Sequence, residues 1–88
     1  MTDREALALI KRLTRLGDIR FVIPHAYESM AERNANEIDV INALTTAKSA
    51  DYQSHNDRWR VDGGYDLEGY GLTVIVEIED MVVVVTAF

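Results

Sequence analysis

The apolar residues of this chain change their period once, near Lys48, and that change constrains the fold more than any other feature. Before it they recur every three or four residues, as on one face of a helix. After it they alternate, as on a strand with one buried side. Helices first and strands afterwards describe an α+β domain. The expected architecture is two to three N-terminal helices packed on one face of a C-terminal antiparallel sheet of three to five strands. Residues 1–88 are read as one domain. At this length folding buries only roughly 60–65% of the unfolded chain's surface, so the core must be thin.

Thr2-Asp3-Arg4-Glu5 has the pattern of a capping box, with Thr2 as N-cap and Glu5 three positions on. The first helix is expected from Asp3 to Leu16, with Ala6, Leu9, Ile10, Leu13 and Leu16 on its buried face and Gly17 ending it. Arg4, Lys11 and Arg15 share another face. Ile19 to Ile23 suits a short strand or extended segment, closed by Pro24. Pro24 then starts a helix reaching Arg33, in which Tyr27 and Met30 are core candidates and His25 is structural or capping. Asn36 caps a third helix, with Asp39 at its N3 position and Ile38, Val40, Ile41, Ala43 and Leu44 as apolar positions. Ser49–Ser54 and Arg58–Asp62 are expected as strands joined by His55-Asn56-Asp57, with Gly63-Gly64 as a second turn or bulge. From Leu72 to Glu79 the alternation is clean: Leu72, Val74, Val76 and Ile78 face one way, and Thr73, Ile75, Glu77 and Glu79 the other. Met81–Phe88 is nearly continuous apolar sequence, which suits a central strand covered on both faces. Its Val82–Val85 run is uncharged and strongly β-prone, so on an edge it would need a partner protein or a second copy to cover it.

Composition closes off several classes. The chain has no cysteine and only two histidines, His25 and His55, so neither a disulfide framework nor a zinc site is expected, and no cofactor is implied. No apolar run approaches a membrane span, and no signal-peptide core is present; the reading is a cytoplasmic protein without membrane contact. The net charge of −6 opposes nucleic-acid binding, but it is unevenly distributed. Residues 1–20 hold Arg4, Lys11, Arg12, Arg15 and Arg20, whereas residues 61–88 hold Asp62, Asp66, Glu68, Glu77, Glu79 and Asp80 and no Lys or Arg. Such polarity orients a charged partner, or simply solvates two faces.

Leu16-Gly17-Asp18-Ile19-Arg20, the helix His25-Ala26-Tyr27-Glu28-Ser29-Met30-Ala31-Glu32-Arg33, Glu37-Ile38-Asp39-Val40 and the final apolar strands together carry a resemblance over nearly the whole chain. They resemble a small bacterial domain family of uncharacterised function related to MqsR and, more distantly, to RelE. The resemblance implies a RelE/MqsR-like fold and a type II toxin: a metal-independent endoribonuclease that cleaves messenger RNA and is neutralised by a cognate antitoxin. The helix pattern of the uncharacterised family is His-Ala-x-x-Arg-Met-x-x-Arg; His25, Met30 and Arg33 fit it, and Ser29 stands at the first Arg. In the sheet, Tyr52-Gln53-Ser54 takes the place of the Tyr-Lys-Ser of MqsR and Trp59-Arg60 that of its Trp-Gln. Tyr70 is the nearest match to its Tyr. The resemblance therefore points to Gln53, Arg60 and Tyr70, with two of the three positions carrying a different residue.

Metal-free cleavage needs a base for the ribose 2′-OH, a cation or donor for the phosphate, and an acid for the leaving oxygen. Arg60 suits the phosphate, because its planar fork matches paired oxygens; the alternative is an ion pair with Asp62 or Asp51. Arg58 lies two residues away and so on the same strand face. Trp59 between them then points into the core. His55 can carry acid–base chemistry near neutrality, or be an ordinary turn histidine. Tyr70 can orient or protonate through its hydroxyl, or pack as a strand tyrosine. Gln53 can position a phosphate or a base. Glu77 is a lesser candidate for a catalytic carboxylate. Lys11 and Arg15 extend the set as RNA contacts, or form a solvated stripe. The competing reading is a non-catalytic protein-binding module on the same scaffold.

Overall fold

The structure, a computed structural model of residues 1–88, contains three helices and five strands. They are α1 (Asp3–Arg15), β1 (Ile19–Phe21), α2 (His25–Glu32), α3 (Glu37–Thr46), β2 (Ser49–Gln53), β3 (Arg58–Asp62), β4 (Val74–Ile78) and β5 (Val82–Ala87). The sheet runs β1-β5-β4-β3-β2. The four C-terminal strands are antiparallel, as expected, but the sheet as a whole is mixed: β1 joins it parallel to β5, with Ile19 beside Val82 and Phe21 beside Val84. The N-terminal half thus supplies an edge strand as well as the helices.

Both capping boxes form. The Glu5 N–H donates to Thr2 Oγ1 at 3.1 Å and the Thr2 N–H to Glu5 Oε1 at 2.8 Å. Asn36 and Asp39 exchange the same pair of bonds at 2.9 and 3.0 Å. These satisfy N–H groups that a helix start leaves open. The bond from the Thr2 backbone N–H, and after it the Thr2 side chain, hold the Glu5 carboxyl below its usual range.

All three helices contribute to one core on one face of the sheet. Ala6 and Ile10 of α1, Ala26 and Met30 of α2, and Val40, Ala43 and Leu44 of α3 meet Ala50, Trp59, Val61, Val74, Val76, Val82, Val84 and Ala87. The helix faces differ in detail from the expected ones. Leu16 caps α1 and is exposed, while Thr14 is buried, its hydroxyl donating to the Ile10 carbonyl at 2.7 Å. Burial of Thr14 is tolerable because that bond satisfies the hydroxyl. Ile38 is exposed at the first turn of α3. Tyr27 is not a core residue: its ring leans on Phe21 while its hydroxyl donates to Glu37 at 2.6 Å, which pushes the phenol's pKa up. His25 is exposed and makes no side-chain hydrogen bond, so it caps nothing.

The valine run behaves as a central strand. Val82, Val83, Val84 and Val85 are all buried, and β1 and β4 flank β5. It needs no partner chain to cover it. β1 ends at Phe21, however, and the second half of β5 would present a free edge. There α2 takes over: the Ala87 N–H donates to Ser29 Oγ at 3.2 Å, and that hydroxyl donates to the Ala26 carbonyl at 2.8 Å. This gives Ser29 a structural role at the position where the family pattern has Arg. A bulge interrupts the β4–β5 ladder between Ile75 and Val76.

Two substitutions test this packing. A Cβ on Gly64 would stand 1.9 Å from the Ala43 carbonyl oxygen in α3, so Gly64→Ala must move backbone. The expected loss is about 2 kcal/mol or more in urea unfolding. Ser29→Ala leaves the N–H of fully buried Ala87 unpaired and should cost about 1–3 kcal/mol by the same measurement.

Candidate functional site

The sheet face away from the helices is open, and its side chains fall into three cross-strand rows set by the register. In an antiparallel ladder directly paired residues share a face, and successive rows on one face lie ~6.6 Å apart. The first row runs Gln53, Arg58, Glu77, Val83 and Arg20; the second Asp51, Arg60, Ile75 and Thr86; the third Ser49, Asp62, Thr73 and Phe88. Arg58 and Arg60 therefore do stand side by side, and Trp59 between them points into the core, where Tyr52 packs on it at 5.0 Å.

Each arginine is held through its Nε. Arg58 Nε donates to Glu77 Oε2 at 3.0 Å across the β3–β4 pair. Arg60 Nε donates to Asp62 Oδ2 at 2.9 Å, and Asp62 Oδ1 accepts from the Thr73 hydroxyl at 2.8 Å. The Arg60 guanidinium also lies over the Phe88 ring, 5.4 Å from its centroid. Engagement at Nε leaves the terminal guanidinium nitrogens, the pair best shaped for phosphate oxygens, without a hydrogen bond inside the protein. Arg20 makes a longer contact to Glu79, 3.8 Å, at the other end of the face.

The remaining candidates are distributed. His55 sits in the β2–β3 turn, just beyond the Gln53–Arg58 pair, and is exposed. The turn is fixed by Asp57, whose backbone is left-handed (φ 59°) and whose carboxylate accepts from the Tyr52 hydroxyl, pushing that phenol's pKa up. Lys11 and Arg15 lie on α1, in the helix layer, across the sheet from Arg58 and Arg60. No metal-binding group of His, Asp or Glu forms, and no helix is long and apolar enough to cross a membrane.

Tyr70 is not on a strand before the last hairpin. It belongs to the loop between β3 and β4, which folds back over the helix layer. Asp66, nearly buried, organises that loop: its Oδ1 accepts from the N–H groups of Glu68 and Tyr70, each at 2.9 Å. Asn42 holds the Tyr65 carbonyl at 2.9 Å, Asp39 accepts the Leu67 N–H at 3.0 Å, and Arg33 donates to the Gly71 carbonyl. Tyr70 consequently lines a small polar hollow with Arg33, Asp39 and Asp66 rather than the open face.

No family model, curated protein or solved structure matches the chain. The site is thus defined by its own geometry: Gln53, Arg58, Glu77 and Arg60 in adjacent rows, His55 at their rim, and Phe88 beyond Arg60. The sequence reading passed over Phe88 and Arg20. Their signal lay in the strand pairing, which brings residues far apart in sequence into one row.

The loop that diverts Tyr70 depends on Asp39. The backbone N–H of Asn36, and after it that of Leu67, hold the Asp39 carboxyl below its usual value. A depressed carboxyl stabilises the fold above its unfolded pKa, and the contribution is lost as pH falls through the folded one. Asp39→Ala should therefore lower the urea midpoint at neutral pH. The gap from wild type should close as pH drops below about 3.8, the ordinary value.

Proposed function

We propose that the protein is a toxin-type, metal-independent endoribonuclease acting on messenger RNA through the open sheet face, and that a cognate antitoxin protein neutralises it. The observation that carries this reading is the placement of Arg58 and Arg60 in adjacent rows beside Glu77, with their terminal nitrogens turned to no protein partner. The sequence resemblance to MqsR and RelE supports it further.

The roles follow from the chemistry each group can perform. Arg60 and Arg58 bind the scissile phosphate and stabilise the charge that accumulates on it. Glu77, aligned by Arg58, accepts the proton of the ribose 2′-OH. The 2′-oxygen attacks the adjacent phosphorus, and the bond to the 5′-oxygen breaks. His55, at the rim of the same rows, protonates that leaving oxygen. Gln53 hydrogen-bonds the substrate beside Arg58. Tyr70 takes no part in this scheme, because its loop lies against the helix layer.

A second reading is a non-catalytic protein-binding module on the same fold. What favours it is the charge of the open face: Arg20, Arg58 and Arg60 are accompanied by Asp51, Asp62, Glu77 and Glu79, which weakens the attraction for a polyanion.

The two readings separate on a labelled messenger RNA incubated with the purified protein in excess EDTA. The wild type should cut it. Arg60→Ala and Glu77→Gln, each with an unchanged circular-dichroism spectrum, should cut about 10²–10³-fold more slowly. Absence of cutting, with ribosomes added as well, would reject the nuclease and leave the binding module.

A further inference from the structure

We infer that the hollow beside Phe88 is a subsite for a guanine base of the RNA, an assignment that rests on the RNA-directed reading of the open face. The hollow has a volume of about 300 Å³ and lies where α2 covers the free edge of β5, lined by Ser29, Glu32, Arg33, Thr86, Ala87 and Phe88. That is the lower end of the range for small-ligand sites, suited to one base.

Its wall supplies a stacking surface. Phe88 is 50% exposed, and its pairing with Thr73 sets it on the open face in the row next to Arg60. The Arg60 guanidinium over the ring means that a base stacked on Phe88 has its own phosphate within the span of one row from the proposed phosphate-binding group. Base–aromatic stacking with a neighbouring arginine is a recurrent way to hold single-stranded RNA.

The polar groups in the wall choose among bases. Ser29 is fully used, donating to the Ala26 carbonyl and accepting from Ala87. The Glu32 carboxylate and the Thr86 hydroxyl have no hydrogen-bond partner inside the protein, and Arg33 uses one nitrogen for the Gly71 carbonyl and keeps its other donors. A carboxylate only accepts. Guanine alone offers two adjacent donors, N1–H and the N2 amino group, to receive it in bidentate fashion. Adenine and cytosine place an acceptor beside their amino group, and uracil flanks its single N–H with acceptors; each would set a lone pair against the carboxylate. Arg33 then suits the O6 and N7 acceptors on the other side of guanine. The backbone leaves the hollow over Arg60 and reaches Arg58 and Glu77 one row further on.

The test is a titration of the isotopically labelled protein with each of the four ribonucleoside 5′-monophosphates, followed by amide chemical shifts. GMP should perturb Glu32, Thr86, Ala87 and Phe88 and bind about tenfold more tightly than AMP, CMP or UMP. Glu32→Gln should remove that preference, and Phe88→Leu, which keeps apolar volume without a π face, should weaken all binding there. Equal affinity for the four nucleotides, or shifts confined to other surfaces, would overturn the subsite. The outcomes are separable from those for cleavage. GMP in the hollow with no RNA cut upholds the subsite and rejects the nuclease; Arg60-dependent cutting without a guanine preference does the reverse.

Discussion

Burial of the valine strand is the constraint to which the rest of the molecule answers. Four consecutive valines cannot alternate between core and water, so both faces and both edges of β5 must be covered. The helices cover one face. On the other, Ile75 and Val83 are buried among the long side chains of the rows around them. β4 covers one edge by a hairpin. The other edge needs a strand from before the helices and, once that strand runs out, a helical hydroxyl. The parallel pairing of β1 and the position of α2 are thus two halves of one solution.

The sequence disclosed most of this architecture because local rules governed it. The capping boxes at Thr2 and Asn36, the alternation of β4 and the alternation that buries Trp59 between two arginines are all short-range patterns, and all are present. What stayed hidden depended on contacts distant in sequence. Nothing within Ile19–Phe21 says that it pairs with residues more than sixty positions away. Leu16, Tyr27 and Ile38 have apolar bodies, but each falls at a helix end or rim, where the core is too thin to reach them.

The candidate site divides along the same line. Arg58 and Arg60 could be placed on one face from their spacing alone. Tyr70 could not be placed, because its position is decided by Asp66 within its own loop and by Arg33, Asp39 and Asn42 at the ends and body of α2 and α3, which grip that loop. The electrostatics show a similar limit. The acidic total of the chain says little about the open face, where cations and carboxylates alternate closely enough to hold each other in place.

The bulge in β5 has a consequence for the composition of the open face. Up to Val84 the strand pairs with β4 in one register; the extra residue, Val85, shifts the remainder by one. Because side chains alternate at every residue, that shift exchanges inside for outside in the last three positions. With it, Ala87 enters the core and Thr86 and Phe88 emerge beside Arg60. Were the strand regular, the phenylalanine would be driven into the space now filled by small side chains and the alanine would be left outside. A single inserted residue therefore acts as a parity switch: deletion of Val85 would give a regular ladder with Thr86, Ala87 and Phe88 still on their present faces, whereas the full strand without its bulge would invert the chemistry of that end of the sheet.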